Sequence, residues 1–282
     1  MFGSLDIKIV SSSMLIYACS TFGRRMRETL ITISRLVRDA VRDLPPSFDR
    51  GLVLGTGADG TPTSNIDRFA ENVILEYVKE SDLPLNVLSE EAGALDRGRG
   101  RTLVIDPIDG THNSLLGIPM YSVSLAVGRS SLNDIETGAV LNLVNDDLFV
   151  AEKGRGATFN GRPIKVRQAD PEKCEVLVYM GHHAAVETMD VVRRSARTRA
   201  MGCASLEMCM VAQGKFDAHY MNCDLYEKSI RVVDIAASAL VLREAGGELV
   251  DLRGEKLDMP LDLAARSNFL AYGDVRMKEV LL

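Results

Sequence analysis

The run Thr102-Leu103-Val104-Ile105-Asp106-Pro107-Ile108-Asp109-Gly110-Thr111-His112-Asn113 constrains this chain more than any other stretch. Thr102 to Ile105 are β-branched or apolar and uncharged, the pattern of a buried strand. Pro107 has no N–H for the next ladder bond and a fixed φ, so a turn is expected there. Asp106 and Asp109 then stand at the strand's carboxyl end, close enough to share a cation. Gly110 lets the backbone approach a ligand, and Thr111 adds a hydroxyl. A helix beginning at Ser114 would aim its free N–H groups at the same place, where an anion is favoured. Carboxylates for a metal beside donors for an anion predict metal-assisted phosphate chemistry. An Asp-Pro pair alone would be no more than a capped turn, but that reading does not explain the whole run.

The bulk numbers bound the rest. With 282 residues, 46% of them hydrophobic and 26% charged, the chain suits one large or two ordinary domains with a sizeable core. A net charge of −6 and a pI near 5.4 argue against a nucleic-acid binder held by phosphate contacts. They leave a phosphorylated substrate open, because bound divalent cations reverse the local sign. Five cysteines (19, 174, 203, 209 and 223), with no Cys-x-x-Cys pair, fit a reducing compartment, and a cytoplasmic protein is expected. The apolar stretch from Met14 to Cys19 is far short of the roughly 20 residues that span a bilayer. Arg24 and Arg25 follow that stretch, whereas a signal peptide carries its basic residues before it. Residues 1–25 are read as an extension without assigned role, or as the product of a start codon upstream of Met26; no membrane association is expected.

Met26, Leu30, Ile33, Val37, Val41 and Leu44 recur at helical spacing, and Pro45-Pro46 ends that helix. A glycine-rich turn follows at 55–63, whose spacing is not that of a dinucleotide fingerprint. Ile66, Phe69, Ala70, Val73, Ile74, Tyr77 and Val78 mark a second amphipathic helix with Asp67 in its first turn. An acid there is explained by the helix dipole alone, worth about 0.3–1 kcal/mol. Leu85–Leu88 reads as a strand running into Glu90 and Glu91, either of which would reach the Asp106 site if the two strands are neighbours. Strands are expected at 121–127, 137–144, 148–151, 164–166, 176–179, 216–220 and 268–272. Helices are expected at 184–195, 206–212 and 230–245, the last carrying Asp234 in its first turn and the small pair Ala236-Ala237 behind it. His182-His183 reads as a polar loop pair, since no third ligand sits at metal spacing. The arginines at 193, 194, 197 and 199 either grip a phosphate or cover a helix and its exit.

With these motifs in view, the chain resembles the inositol monophosphatase-like, lithium-sensitive phosphatase superfamily from about Met26 onward. The central Asp106-Pro107-Ile108-Asp109-Gly110-Thr111-x-Asn113 carries the resemblance. Gly57-Ala58-Asp59-Gly60-Thr61-Pro62-Thr63-x-x-Ile66-Asp67 looks like the form in archaeal members that act as fructose-1,6-bisphosphatases, inositol monophosphatases or both. Ser89-Glu90-Glu91 and Val233-Asp234-Ile235-Ala236-Ala237 match the family's other acidic motifs. There are two departures: Val233 stands where many relatives carry Trp, and Cys203 in Gly202-Cys203-Ala204-Ser205 stands where a hydroxyl is usual.

The resemblance implies an α+β fold, a layered αβαβα sandwich, with a metal- and phosphate-binding part over 26–168 and a part completing the site over 169–282. It implies a homodimer and magnesium-dependent hydrolysis of a phosphate monoester. Glu90, Asp106, the Ile108 carbonyl, Asp109 and Asp234 would hold two ions. Asp67 would support a third and, with Thr111, orient the attacking water, Glu90 also serving catalysis. Gly110 and Thr111 would hold the phosphate, beside Asp109. Glu227 falls where inositol-specific relatives place a hydroxyl-binding acid, whereas Lys228, with Arg197 or Arg199, would take a second phosphate. Candidate substrates are inositol-1-phosphate and fructose-1,6-bisphosphate, then a nucleotide such as NADP or 3′-phosphoadenosine 5′-phosphate. A catalytically inactive metal- or phosphate-binding regulator is the reading from a different class, and it is disfavoured because Asp67 and Thr111 are both present.

Overall fold

The computed structural model describes residues 6–282, with side chains from residue 23 onward, so the reading of 1–25 as an extension falls almost wholly outside the described side chains. Helix α1 (Asp6–Arg42) presents Met26, Leu30, Ile33, Val37 and Val41 to the interior, the face expected from their spacing. Strands β1 (Val53–Thr56) and β2 (Pro62–Ser64) form a small hairpin before α2 (Asn65–Glu80). Then come β3 (Asn86–Ser89), β4 (Gly93–Leu95), β5 (Thr102–Asp109), the short α3 (Thr111–Leu116), β6 (Ser122–Gly128), β7 (Thr137–Asn142), β8 (Leu148–Glu152), β9 (Ala157–Phe159) and β10 (Arg162–Ile164). The second half runs β11 (Glu175–Val178), α4 (Thr188–Arg194), β12 (Arg197–Arg199), α5 (Ala204–Ala212), β13 (Ala218–Met221), β14 (Ile230–Arg231), α6 (Val232–Glu244), β15 (Glu248–Val250), β16 (Arg266–Ser267), β17 (Phe269–Tyr272) and α7 (Arg276–Leu281).

An eight-stranded sheet in the order β10-β9-β8-β7-β6-β5-β3-β4 and a five-stranded sheet in the order β12-β11-β13-β17-β15 make up the two β layers. Helices α1 and α2 cover one face of the large sheet, and their core joins Leu30, Ile74, Ile105 and Leu125. Helices α5 and α6 fill the space between the sheets, where Val104, Val140, Met208, Ile235 and Phe269 share one core. Helices α4 and α7 close the far face over Val176, Leu270 and Met277. The order helix, sheet, helix, sheet, helix is an αβαβα sandwich. A division at 168/169 separates the sheets but not the cores, because α5 and α6 from the second half pack on the first-half sheet. No described helix is long and apolar enough to cross a membrane.

Three local expectations need correction. Pro107 does not end its strand: β5 continues to Asp109, and the missing N–H is absorbed by a register shift against β6 between Asp106 and Asp109. Such a bulge places the extra residue outside the ladder and bends the strand. The helix expected over 184–195 forms only from Thr188, because Ala184 bridges Cys223 and Ala185 N–H donates to Asn222 O. The helix expected from Ile230 begins at Val232, because Ile230 and Arg231 pair with Ser267 and Arg266.

The small residues of α6 set how deeply it seats. A Cβ on Gly138 of β7 would lie 3.0 Å from the Ala237 Cα and carbonyl oxygen, so helix and sheet approach backbone to backbone. Gly138→Ala must push α6 outward and should cost about 1–3 kcal/mol, the usual range for overpacking. A lowered melting temperature with reduced activity is the expected result, since the same shift moves Asp234.

Candidate active site

Parallel pairing of β3 with β5 assembles the acidic centre. The register sets Ser89 opposite Ile105, so the next residues, Glu90 and Asp106, emerge side by side. Asp234, in the first turn of α6, brings a third carboxylate, and ligand atoms of Glu90, Asp106 and Asp234 lie within 4.8 Å of one another. Asp106 is 1% exposed, and its Oδ1 has no hydrogen-bond partner. A buried carboxylate oxygen without a donor is costly unless a cation faces it. Burial first, and then the charges of Glu90, Asp109 and Asp234, push the Asp106 carboxyl well above its ordinary range. Burial likewise pushes Glu90 up to about 8, against the nearby Arg231. Crowded carboxylates with hard oxygen donors and an orphaned lone pair fit a divalent cation of the magnesium type.

Asp109 is turned elsewhere. Its Oδ2 accepts from Ser205 N–H at 2.6 Å and from Cys203 Sγ at 3.1 Å, which ties it to the start of α5. Burial keeps the Cys203 thiol protonated, so it donates to Asp109 here. The Ile108 carbonyl accepts from Thr111 Oγ1 at 2.9 Å. That hydroxyl lies equally close to Asp67 Oδ1, and its single proton serves one acceptor at a time. Asp67 also accepts from the Ser64 N–H at 3.2 Å, the helix-start contact expected of an acid in that turn. Gly110 has φ of 85°, and a Cβ there would sit 2.9 Å from Met120 O, which leaves glycine as the residue that fits. Helix α3 starts at Thr111, earlier than the expected Ser114, and is only six residues long.

Several expected contributors lie apart. Glu91 takes the Thr63 hydroxyl as donor and is absent from the three-carboxylate group. A cavity of about 450 Å³ opens beside the centre, lined by Asp109, Cys203, Glu207, His219, Arg231 and Asp234 among others; Arg197, Arg199, Glu227 and Lys228 do not line it. Arg197 pairs with Glu175 at 3.0 Å, Arg199 donates to Thr198 O, and Glu227 and Lys228 are exposed on a 3₁₀ turn. Arg193 pairs with Asp190, and Arg194 donates to Val280 O. His182 and His183 sit in a turn with ring centroids 4.7 Å apart, as a polar loop pair would.

The residue that the sequence reading passed over is Arg231. Its Nη1 donates to Asp59 and Glu90, its Nη2 donates to Asp234 Oδ1 at 2.6 Å, and its Nε reaches both Asp234 oxygens at 3.1 Å. A signal was available: Arg231 falls in the first turn of the helix expected from Ile230, where the dipole disfavours a cation. Glu207 and His219 were also missed. Their nearest side-chain atoms are 3.8 Å apart, yet burial pushes Glu207 up to about 8 and His219 down to about 3, so both are neutral at pH 7 and form no ion pair.

Because its folded value lies above the unfolded one, Glu207 contributes stability below about pH 4.5 that is lost as pH rises through about 8. Glu207→Gln should therefore raise the melting temperature at pH 8.5 far more than at pH 6. Equal shifts at both values would show that the carboxyl is ionised throughout.

Residues 26–279 match the family model for the inositol monophosphatase family. The fructose-1,6-bisphosphatase/inositol-1-monophosphatase of Methanothermobacter thermautotrophicus is 34% identical over 267 residues, covering 89% of this chain and 93% of that protein. The bifunctional NADP phosphatase/NAD kinase of Methanococcus maripaludis is 31% identical over 279 residues, covering 91% of this chain and 48% of that protein. This chain thus spans about half the length of that bifunctional relative. Among solved structures, a hypothetical protein from Pyrococcus horikoshii with similarities for inositol-1 monophosphatase superposes with a TM-score of 0.78 at 28% identity, covering 92% of this chain and 97% of that one.

Proposed function

Since this chain belongs to the inositol monophosphatase family, we propose that it is a magnesium-dependent phosphatase that hydrolyses a small sugar or polyol phosphate monoester. The observation that carries the reading is the Glu90–Asp106–Asp234 group, together with a buried Asp106 Oδ1 that has no hydrogen-bond partner. Glu90, Asp106 and Asp234 would hold magnesium, joined by the Ile108 carbonyl, Asp109 and Asp67 for two or three ions in all. Bound magnesium supplies an acidified water and takes up charge on phosphate oxygens.

The chain's own groups do the rest. Asp67 and Thr111 share a hydrogen bond and would orient a water at the metal site. The Gly110 and Thr111 N–H groups would hold phosphate oxygens. Substrate hydroxyls would meet Asp109 and the neutral Glu207 on the cavity wall. Arg197, Arg199, Glu227 and Lys228 do not line that cavity.

Inositol-1-phosphate and fructose-1,6-bisphosphate are the substrates proposed first, in keeping with the names of the archaeal relatives. NADP is the second reading, carried by the Methanococcus maripaludis relative's name. A cytoplasmic homodimer is proposed alongside; Cys174, Cys203, Cys209 and Cys223 are free, as a reducing compartment would keep them. Phosphate release with magnesium, measured on all three compounds at matched concentration with EDTA and Asp106→Asn controls, tests the reading. Metal-dependent release from either sugar phosphate supports it. Release from NADP alone transfers the assignment to nucleotides, and no release from any of them removes it. Light scattering on the same preparation reads the oligomeric state.

A further inference from the structure

Arg231 occupies the lone pairs that a metal would need. Its guanidinium donates to Asp59, Glu90 and Asp234, the last two belonging to the three-carboxylate group. Three carboxylates (Asp59, Glu90 and Asp234) share this one cation. Asp106 Oδ1 gains no donor from it and stays orphaned. One guanidinium is thus a partial substitute for a divalent ion. It serves Glu90 and Asp234 and leaves Asp106 Oδ1 bare. The same side chain lines the cavity beside Asp234, and no other lysine or arginine does.

We infer that Arg231 competes with the metal for the acidic cluster, and that metal binding displaces its guanidinium into the cavity, where it becomes a ligand of the substrate phosphate. The chemistry favours the exchange in that direction. A divalent cation brings twice the charge and serves the Asp106 oxygen that the guanidinium leaves bare. A released guanidinium, desolvated on a cavity wall, is a bidentate donor matched to phosphate. The exchange would couple the two binding events: phosphate finds its arginine only after the metal has taken the carboxylates. It also accounts for an arginine at a helix N-cap, where the dipole opposes it. The inference rests on the reading of this cluster as the metal site.

Calorimetric titration of the metal-free protein with magnesium, and of the magnesium-saturated protein with inorganic phosphate, tests it without turnover. Arg231→Gln should bind magnesium about tenfold or more tightly, because no charge-assisted hydrogen bonds have to be broken first. The same variant should bind phosphate about tenfold or more weakly, having lost a charged donor. Its metal-free form should melt at a lower temperature than the wild type and recover with magnesium. Opposite changes in the two affinities separate this role from simple support of α6, which would weaken both. Arg231→Lys keeps one charge but cannot bridge three carboxylates, so magnesium should tighten by a smaller factor while phosphate is largely retained. That variant carries the test if the glutamine form does not fold. Equal magnesium affinity in wild type and both variants overturns the inference alone. No magnesium binding by any of the proteins removes the metal-site reading, and the inference with it.

Discussion

Asp106→Asn should abolish turnover and at the same time raise the melting temperature of the metal-free protein. Asparagine has nearly the shape of aspartate, so the bulge in β5 and the pairing with β6 at Ser124 are kept. What disappears is a buried carboxylate, grouped with Glu90 and Asp234, one of whose oxygens has no hydrogen-bond partner. Burial and those neighbours raise the Asp106 carboxyl's affinity for protons, so its ionised form at pH 7 opposes folding unless a cation is present. Removing the charge relieves that opposition, which is why the apoprotein gains stability. The same removal takes away a central ligand, and a loss on the order of 10³-fold or more in kcat/KM is expected, comparable with deleting a principal electrostatic stabiliser. Magnesium should raise the melting temperature of the wild type and leave the variant nearly unmoved. The pair of melts, with and without EDTA, is the decisive readout alongside phosphate release. A variant that is less stable without metal, or that retains activity, would overturn the role given to Asp106.

The acids were legible because their signals are local, although β5 itself runs past Pro107 to Asp109. A β-branched run stops at Asp106, a helical period starts beside Asp67, and an Ala-Leu-rich helix carries Asp234 at its head. Glu90 and Asp106 are brought together by the parallel β3–β5 register; the short connection made neighbouring strands easy to expect, but not their parallel sense. The layered arrangement was an expectation from the family resemblance; the periodicities alone indicated individual helices and strands and not how they stack.

Harder to read was whatever depends on which loop packs where. Arg231 and Asp59 are 172 positions apart and meet only because the glycine-rich hairpin folds over the start of α6. Glu227 was placed by counting back from Asp234, but the chain between β13 and α6 carries a 3₁₀ turn that leaves it in solvent. Counting along a sequence measures distance along the chain, and a loop can spend those residues in any direction. Cys203 is an intermediate case: it was visible as a departure from the family, and its meaning as a donor to Asp109 needed the geometry of α5.

Thr111→Ala should lower kcat about 10²-fold while changing KM little, within the usual range for a positioned proton-transfer partner. The hydroxyl stands 2.9 Å from Asp67 Oδ1 and 2.9 Å from the Ile108 carbonyl oxygen. Both acceptors belong to groups proposed around the metal, and neither belongs to the cavity that would hold the organic part of the substrate. Alanine keeps the Thr111 N–H and the αL turn at Gly110, so phosphate contacts through the backbone persist and ground-state binding is preserved. Asp67, by contrast, loses one of the hydrogen bonds that hold its raised pKa in check against burial, and becomes easier to protonate. The acidic limb of the pH–rate profile should therefore move to higher pH, a change that a packing defect would not produce. Thr111→Ser restores the hydroxyl and should recover most of the rate. An effect confined to KM, or an unmoved acidic limb, would show that Thr111 serves substrate contact and that the water is oriented by some other group.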